Sequence, residues 1–342
     1  MKYIGKTIQI VILSVLFCVI TSENTQANDD FPLSISAILP ENQINKNVGY
    51  YDLKMEPNQE QILDLEISNL TKETKKIKAE INNATTNDVG VIDYSNKEDD
   101  FKKDDSLKLS LEDIAAVNKS MTIKPFSKET IKIKLKMPEN NFKGIIVGAV
   151  RIFEEEDTGD KKADSDLQMR NRTVYTTGIN LRESETKIDA ELNLIKAFAD
   201  QENGNNYVKI NIQNNQPVVL ENITYSAEVF EKGNSKPLHQ QNESNYRFAP
   251  QSNFNFKVDW ENEPFKAGKY VVHMVAQSKD TQQKWEWNQD FEITKEEADK
   301  FNKTNQNIKE KKNYTYIYVG VFIAILLIAT IWFLYVKFRK QK

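Results

Sequence analysis

The chain has one cysteine, Cys18, and two histidines, His239 and His273. Everything after Cys18 therefore lacks disulfides, thiol nucleophiles and sulfur ligands. The H-E-x-x-H zinc pair, the G-x-S-x-G nucleophile elbow and a glycine-rich phosphate loop are also missing. A positive charge excess is lacking too. The net charge is −4, and setting aside the basic ends leaves the long middle stretch more acidic still. Such a surface is a poor electrostatic match for nucleic acid, whose binding rests on Lys and Arg neutralising phosphates. Helical periodicity is scarce between the two ends, with one clear signal, "TKEEADKFN", where Thr294 and Glu297 form a capping box.

Long apolar stretches occur only at the two ends. Residues 314–336 carry no charge from Tyr316 to Val336, enough for the ~20 residues of a membrane helix. Tyr314, Tyr316 and Tyr318 lie at one end of the run, Trp332 and Tyr335 at the other, as interfacial aromatics do. Lys337, Arg339, Lys340 and Lys342 follow. Lys309, Lys311 and Lys312 precede it, so loop charge alone orients the helix poorly. At the N-terminus, Lys2 and Lys6 precede the short apolar stretch Ile8 to Ile20. "TQA" (Thr25 to Ala27) then supplies small residues for cleavage, so residues 1–27 read as a secretory signal peptide. A lipoprotein anchored through Cys18 is the rival, but bulky Phe17 stands where a small residue is expected. The expectation is an ectodomain outside the cell, a single membrane span at 314–336, and a cytoplasmic basic tail at 337–342. A cysteine-free exported chain rich in Lys, Asn and Ile suggests a Gram-positive bacterium.

Period-2 alternation dominates the rest. "QILDLEISN" sets Leu63, Leu65 and Ile67 against Asp64, Glu66 and Ser68; "TIKIKLKM" sets Ile131, Ile133, Leu135 and Met137 against Lys132, Lys134 and Lys136. These are strands with one face buried and one wet. "GIIVGAVRIF" (Gly144 to Phe153) is more apolar than the alternating strands and suits a central strand, and "RTVYTTGINLR" (Arg172 to Arg182) suits a return strand beside it. Six further strands begin near Ile188. The spacing predicts an all-β chain: two antiparallel, immunoglobulin-like β-sandwich domains followed by one transmembrane helix.

Chemistry-bearing groups are few. Both histidines read as structural or solvated. Acidic residues are so abundant that no particular carboxylate pair marks a hydrolase. The acidic loop from Glu154 to Asp166 has oxygen ligands of the kind Ca²⁺ takes, but not the EF-hand spacing, and reads as a solvated loop. Trp285 and Trp287 share parity with Phe291 and Ile293, which assigns them to the core before a sugar-stacking platform. Thr85, Thr86, Asn87 and Tyr94 are the glycan-binding candidates, since they offer hydroxyls, an amide and a ring. The alternative reading makes Asn87, Asp88 and Gly90 a simple turn.

Three stretches, "ILPENQINKNVGYYDLKMEPNQEQILDLEISN", "NNATTNDVGVIDYS" and "MPENNFKGIIVGAVRIF", resemble the peptidoglycan-binding domain of the WxL-interacting proteins of Gram-positive bacteria. "YTTGINLRE", "FAPQSNFNFKVDW", "FKAGKYVVHMVAQ" and "WEWNQDFEITKEEADKFN" resemble that family's host-binding domain. The resemblance implies a peptidoglycan-binding-type domain at 31–160, with strand 171–183 completing its sandwich. It implies a partner-binding-type domain at 164–300, followed by a spacer at 301–313. It further implies peptidoglycan as one partner, a WxL-domain surface protein and a host protein as others, and neither catalysis nor a cofactor or metal. The "WFL" at Trp332 to Leu334 lies inside the expected membrane helix, so the chain reads as an interacting partner and not as a WxL-domain protein. Because the helix follows the second domain, that domain is membrane-proximal, which favours a bacterial partner for it. A membrane-anchored wall hydrolase and an extracytoplasmic assembly chaperone are the alternatives.

Overall fold

The computed structural model describes residues 32–95, 103–155, 173–305, 307 and 315–339. Of the final stretch, side chains are described from Gly320 to Trp332. The expected signal peptide, the acidic loop beyond Glu155, most of the spacer and the end of the basic tail lie outside the described residues. The chain divides into two compact units. The first takes the residues up to Ala84 together with Asp93–Ile188; the second takes Thr85–Ile92 and everything from Asp189 onward.

The first unit packs two sheets face to face. One has the order β1 (Leu33–Ile38), β3 (Glu60–Asn69), β9 (Lys128–Lys136) and β7 (Ala115–Val117). The other runs β2 (Tyr51–Lys54), β11 (Val174–Arg182), β10 (Ile146–Glu154), β4 (Lys75–Asn83) and β8 (Ser120–Ile123). The alternation read from the sequence sets which faces meet. Leu63 lies opposite Ile133 and Leu65 opposite Ile131. They share one core with Ile77, Ala79, Val150, Ile152 and Ile179 of the second sheet. On the outer side of β3 and β9, Lys128, Lys132 and Lys136 pair with Glu66, Asp64 and Glu60, so this lysine-rich face is neutralised across the strands. β10 is central, as its largely apolar sequence suggests, and β11 returns beside it. One pairing departs from the all-antiparallel expectation: β11 runs parallel to edge strand β2. Parallel neighbours need a long crossover, and the chain between Lys54 and Val174 supplies it.

A short helix, α1 (Leu111–Ile114), caps the inner side of β10. Its Ser110 backbone N–H and hydroxyl both donate to Asp113 Oδ2, at 2.9 and 2.6 Å. One turn gives too little periodicity to read from sequence.

The second unit is also two sheets on one core. β12 (Leu192–Glu202), β13 (Asn205–Asn214) and β16 (Ser252–Asp259) face β15 (His239–Phe248), β14 (Leu220–Glu231), β17 (Gly268–Ser278) and β18 (Lys284–Ile293). Val208, Ile210, Ile212, Phe254 and Phe256 from one side meet Tyr225, Val229, Val272 and Met274 from the other. β15 carries "HQQNESNYRF" and lies at a sheet edge, so it needs few apolar side chains and escapes the hydrophobic pattern. Trp285 and Trp287 pair with Ala276 and Met274 and pack against the core while staying half-buried.

α2 (Lys295–Thr304) begins at Thr294, whose Oγ1 accepts the Glu297 N–H. The helix runs past residue 301, where the sequence suggested a spacer. The reason is a side-chain clasp: Asn302 accepts the Phe265 N–H and donates to the Phe265 carbonyl, both at 2.8 Å. A last helix, α3, spans Thr315–Arg339. Among the described residues no helix is long and apolar enough to cross a membrane.

Candidate functional site

In the five-stranded sheet of the first unit, alternate residues of β4, β10 and β11 point away from the core. The registers place Asn82, Ala149 and Gly178 side by side, with Glu80, Arg151 and Thr176 in the next row. The row spans about 10 Å from β4 to β11, with Ala149 fully buried, Asn82 only 7% exposed and Gly178 half-buried. The Tyr50 side chain lies on the β11 side and the Tyr94 backbone carbonyl on the β4 side. A Cβ on Gly178 would touch the Tyr50 side chain at 3.6 Å. On the β4 side, Asn82 Nδ2 donates to the Tyr94 carbonyl at 2.7 Å. Tyr50 is 36% exposed and Tyr94 half-buried.

Polar groups along this face are held in fixed orientations. Arg151 Nη1 donates to Glu80 Oε1 at 2.6 Å and to the Ser95 carbonyl at 3.0 Å. Asn82 also donates to Glu80, at 3.3 Å. Toward β2, Arg182 binds Asp52, whose backbone N–H donates to Gln43 Oε1. The Gln43 amide in turn donates to the Tyr50 and Asn45 carbonyls, both at 2.9 Å. These hydrogen bonds hold the polar side chains in fixed orientations.

The four glycan candidates from the sequence are divided between the two units. Tyr94 belongs to the first unit, Thr85, Thr86 and Asn87 to the second. Thr86 is buried, and its Oγ1 accepts the Ala249 N–H at 2.9 Å and shares a hydrogen bond with Ser252 Oγ at 3.0 Å. Asn87 Oδ1 accepts from Val89 N and Val91 N, and its carbonyl accepts from Gly90 N. That is a turn closed by its own asparagine. Thr85 is half-buried on the short strand β5 (Thr85–Thr86), which pairs with β6 (Ile92–Asp93). Sequence reading missed Tyr50, Asn82, Glu80 and Arg151. The parity of "KKIKAEINN" against "GIIVGAVRIF" places the last three on one face once the register is known.

The histidines take structural places. His239 is a strand residue, only 6% exposed, with its ring 4.1 Å from that of Trp260. Burial pushes its pKa down, partly offset by Glu261, Glu263 and Asp259. His273 lies on the outer face of β17, between Glu286 at 3.1 Å and Glu228 at 3.6 Å. Among the described residues no cluster of His, Cys, Asp and Glu is arranged to hold a metal ion.

Several solved structures, chaperones among them, share a distant likeness with the chain. One from the CFA/I fimbriae chaperone–tip adhesin complex is 12% identical, covering 75% of this chain and 98% of its own, with a TM-score of 0.31. The E. coli chaperone DraB is 11% identical, covering 77% and 98%, with a TM-score of 0.29. Such scores carry no argument about function. No curated protein matches the chain. The peptidoglycan binding domain of the WxL Interacting Protein family matches residues 33–154, and its host binding domain matches residues 164–303. With both domains present in that order, the chain belongs to the WxL Interacting Protein family, as its sequence resemblance indicated.

Proposed function

We propose that this protein is a non-catalytic tether of the Gram-positive cell surface. The first unit binds peptidoglycan on the outer side of β4, β10 and β11, with Tyr50 and Arg151 toward the glycan. The second unit receives a protein partner, a WxL-domain protein of the same cell. The observation that carries the reading is the pair of family domains on one chain. The accessible part of that face offers the half-exposed Tyr50 ring and the oriented Arg151–Glu80 pair. α3 supplies the anchor. Its large apolar side chains from Val321 to Trp332 are 51–68% exposed, and all sides of the helix are apolar. Such a surface is costly in water and suits lipid. Its described side chains span only about 20 Å of helix rise. Residues 316–336, which carry no charge, span about 30 Å, the thickness of a bilayer's hydrocarbon core. Two weak attachments on one chain, anchor and wall contact, raise residence by effective concentration.

The test is to incubate residues 28–312 with purified sacculi and a WxL-domain protein, then assay pellet, supernatant sugar and captured protein. Binding without sugar release, with the WxL protein retained, agrees with a tether. Released sugar replaces it with a hydrolase. Capture of unfolded clients with no wall affinity replaces it with a chaperone. An antibody against residues 190–294 tests the partner assignment on intact cells. Strong labelling before wall digestion, with the anchor in place, would count against a partner buried in the wall and favour a host protein.

A further inference from the structure

Residues Thr85–Ile92 are flanked in sequence by Ala84 and Asp93 of the first unit, yet they are part of the second. Three alternate residues make the contacts there. Thr86 Oγ1 accepts the Ala249 N–H and meets Ser252 Oγ. Asp88 Oδ1 accepts the Asn255 N–H at 3.0 Å, and its Oδ2 lies 3.4 Å from Lys257 Nζ. The Gly90 carbonyl accepts the Arg247 N–H at 2.8 Å. Gly90 has φ +73° and lies so close to Tyr246 that a Cβ would stand 2.1 Å from its ring carbons. Between these contacts Val89 and Val91 are 65% and 49% exposed.

The receiving surface is specific at each position. A backbone N–H with a serine hydroxyl reads a hydroxyl, a second N–H with a lysine reads a carboxylate, and a tyrosine face admits only a glycine. Tyr246 rests in turn on Tyr225, Phe254 and Phe256. The apolar core beneath closes without the segment, which contributes none of its buried residues.

We propose that residues 246–257 form a docking surface for a turn peptide of the pattern Thr-x-Asp-x-Gly. The chain fills this surface itself, with Thr85–Ile92 as a releasable latch. Polar contacts and one close-packed glycine hold the latch, so it opens locally while the sandwich stays folded. The proposal is independent of wall binding.

Amide hydrogen exchange on the full chain tests it. In Gly90→Val, the Arg247, Ala249 and Asn255 amides should exchange about tenfold faster or more, the equivalent of losing a typical hydrogen bond. Amides of Val208–Ile212 in β13 and of Val150 in the first unit should be unchanged. Adding a free peptide of residues 84–92 should restore protection in the variant. Asp88→Ala, which leaves the glycine contact intact, should release Asn255 in the same way and decides the matter if Gly90→Val does not fold. Unchanged exchange at these amides overturns the proposal. So does loss of protection in β13 together with them, because the segment would then be a fixed part of the fold.

Discussion

A Cβ built on Gly148 stands 2.5 Å from the Asn82 carbonyl oxygen and 2.5 Å from Leu111 Cδ2. One neighbour is backbone and the other is the buried anchor of α1, so neither yields cheaply. Gly148→Ala is expected to destabilise the first unit by about 1–3 kcal/mol, the cost of overpacking a closed core. Urea unfolding measures it, and a change under about 0.5 kcal/mol would show that α1 can move aside. His239 sets a pH dependence in the second unit. Its folded pKa lies below its unfolded value of about 6.5. The stability it permits is therefore complete above that value and is lost as pH falls through the folded pKa. Trp260, its ring 4.1 Å from the imidazole, reports the transition by fluorescence. His239→Phe should remove this acid-side component. An identical pH profile in the variant would place the sensitivity elsewhere.

Elements were legible where one face is wet and the other dry. β3, β9, β13 and β18 show alternation that burial follows, with Ile62 exposed and Asn69 buried as exceptions in β3. The α2 cap was equally plain, since Thr294 and Glu297 bond as the motif requires. Thr294→Ala should cost about 1 kcal/mol. It should also speed amide exchange at Glu297 and Ala298, while unchanged exchange would assign the helix start to tertiary packing. Other elements were hidden for physical reasons. β15 is polar because it is an edge, and α1 is a single turn. The extent of α2 follows from the Asn302 clasp on Phe265, a long-range contact no local pattern announces. The candidate face was the least legible part. Asn82, Ala149 and Gly178 are far apart in sequence, and only strand register brings them together. Thr86 looked available to a glycan because its partners, Ala249 and Ser252, lie far along the chain.

At the scale of the whole molecule, the chain joins a domain of the peptidoglycan binding family, a domain of the host binding family and an apolar helix in that order. The helix gives a direct expectation for the full chain. It should stay with membranes through a high-salt wash and leave with detergent, because apolar burial does not respond to screening as charge pairs do. Release by salt alone would remove the anchor from the account. The central claim concerns the outer face of the first unit, and sacculus sedimentation of residues 28–312 tests it most directly. Tyr50→Ala, Tyr94→Ala and Arg151→Met should each cut the bound fraction. The paired change Tyr50→Ala with Tyr94→Ala should abolish sedimentation while unfolding remains cooperative. Lys132→Ala on the opposite sheet, where the charge is already paired, should bind as the parent does. Undiminished sedimentation of the folded double variant would contradict the account and place the wall contact on another surface.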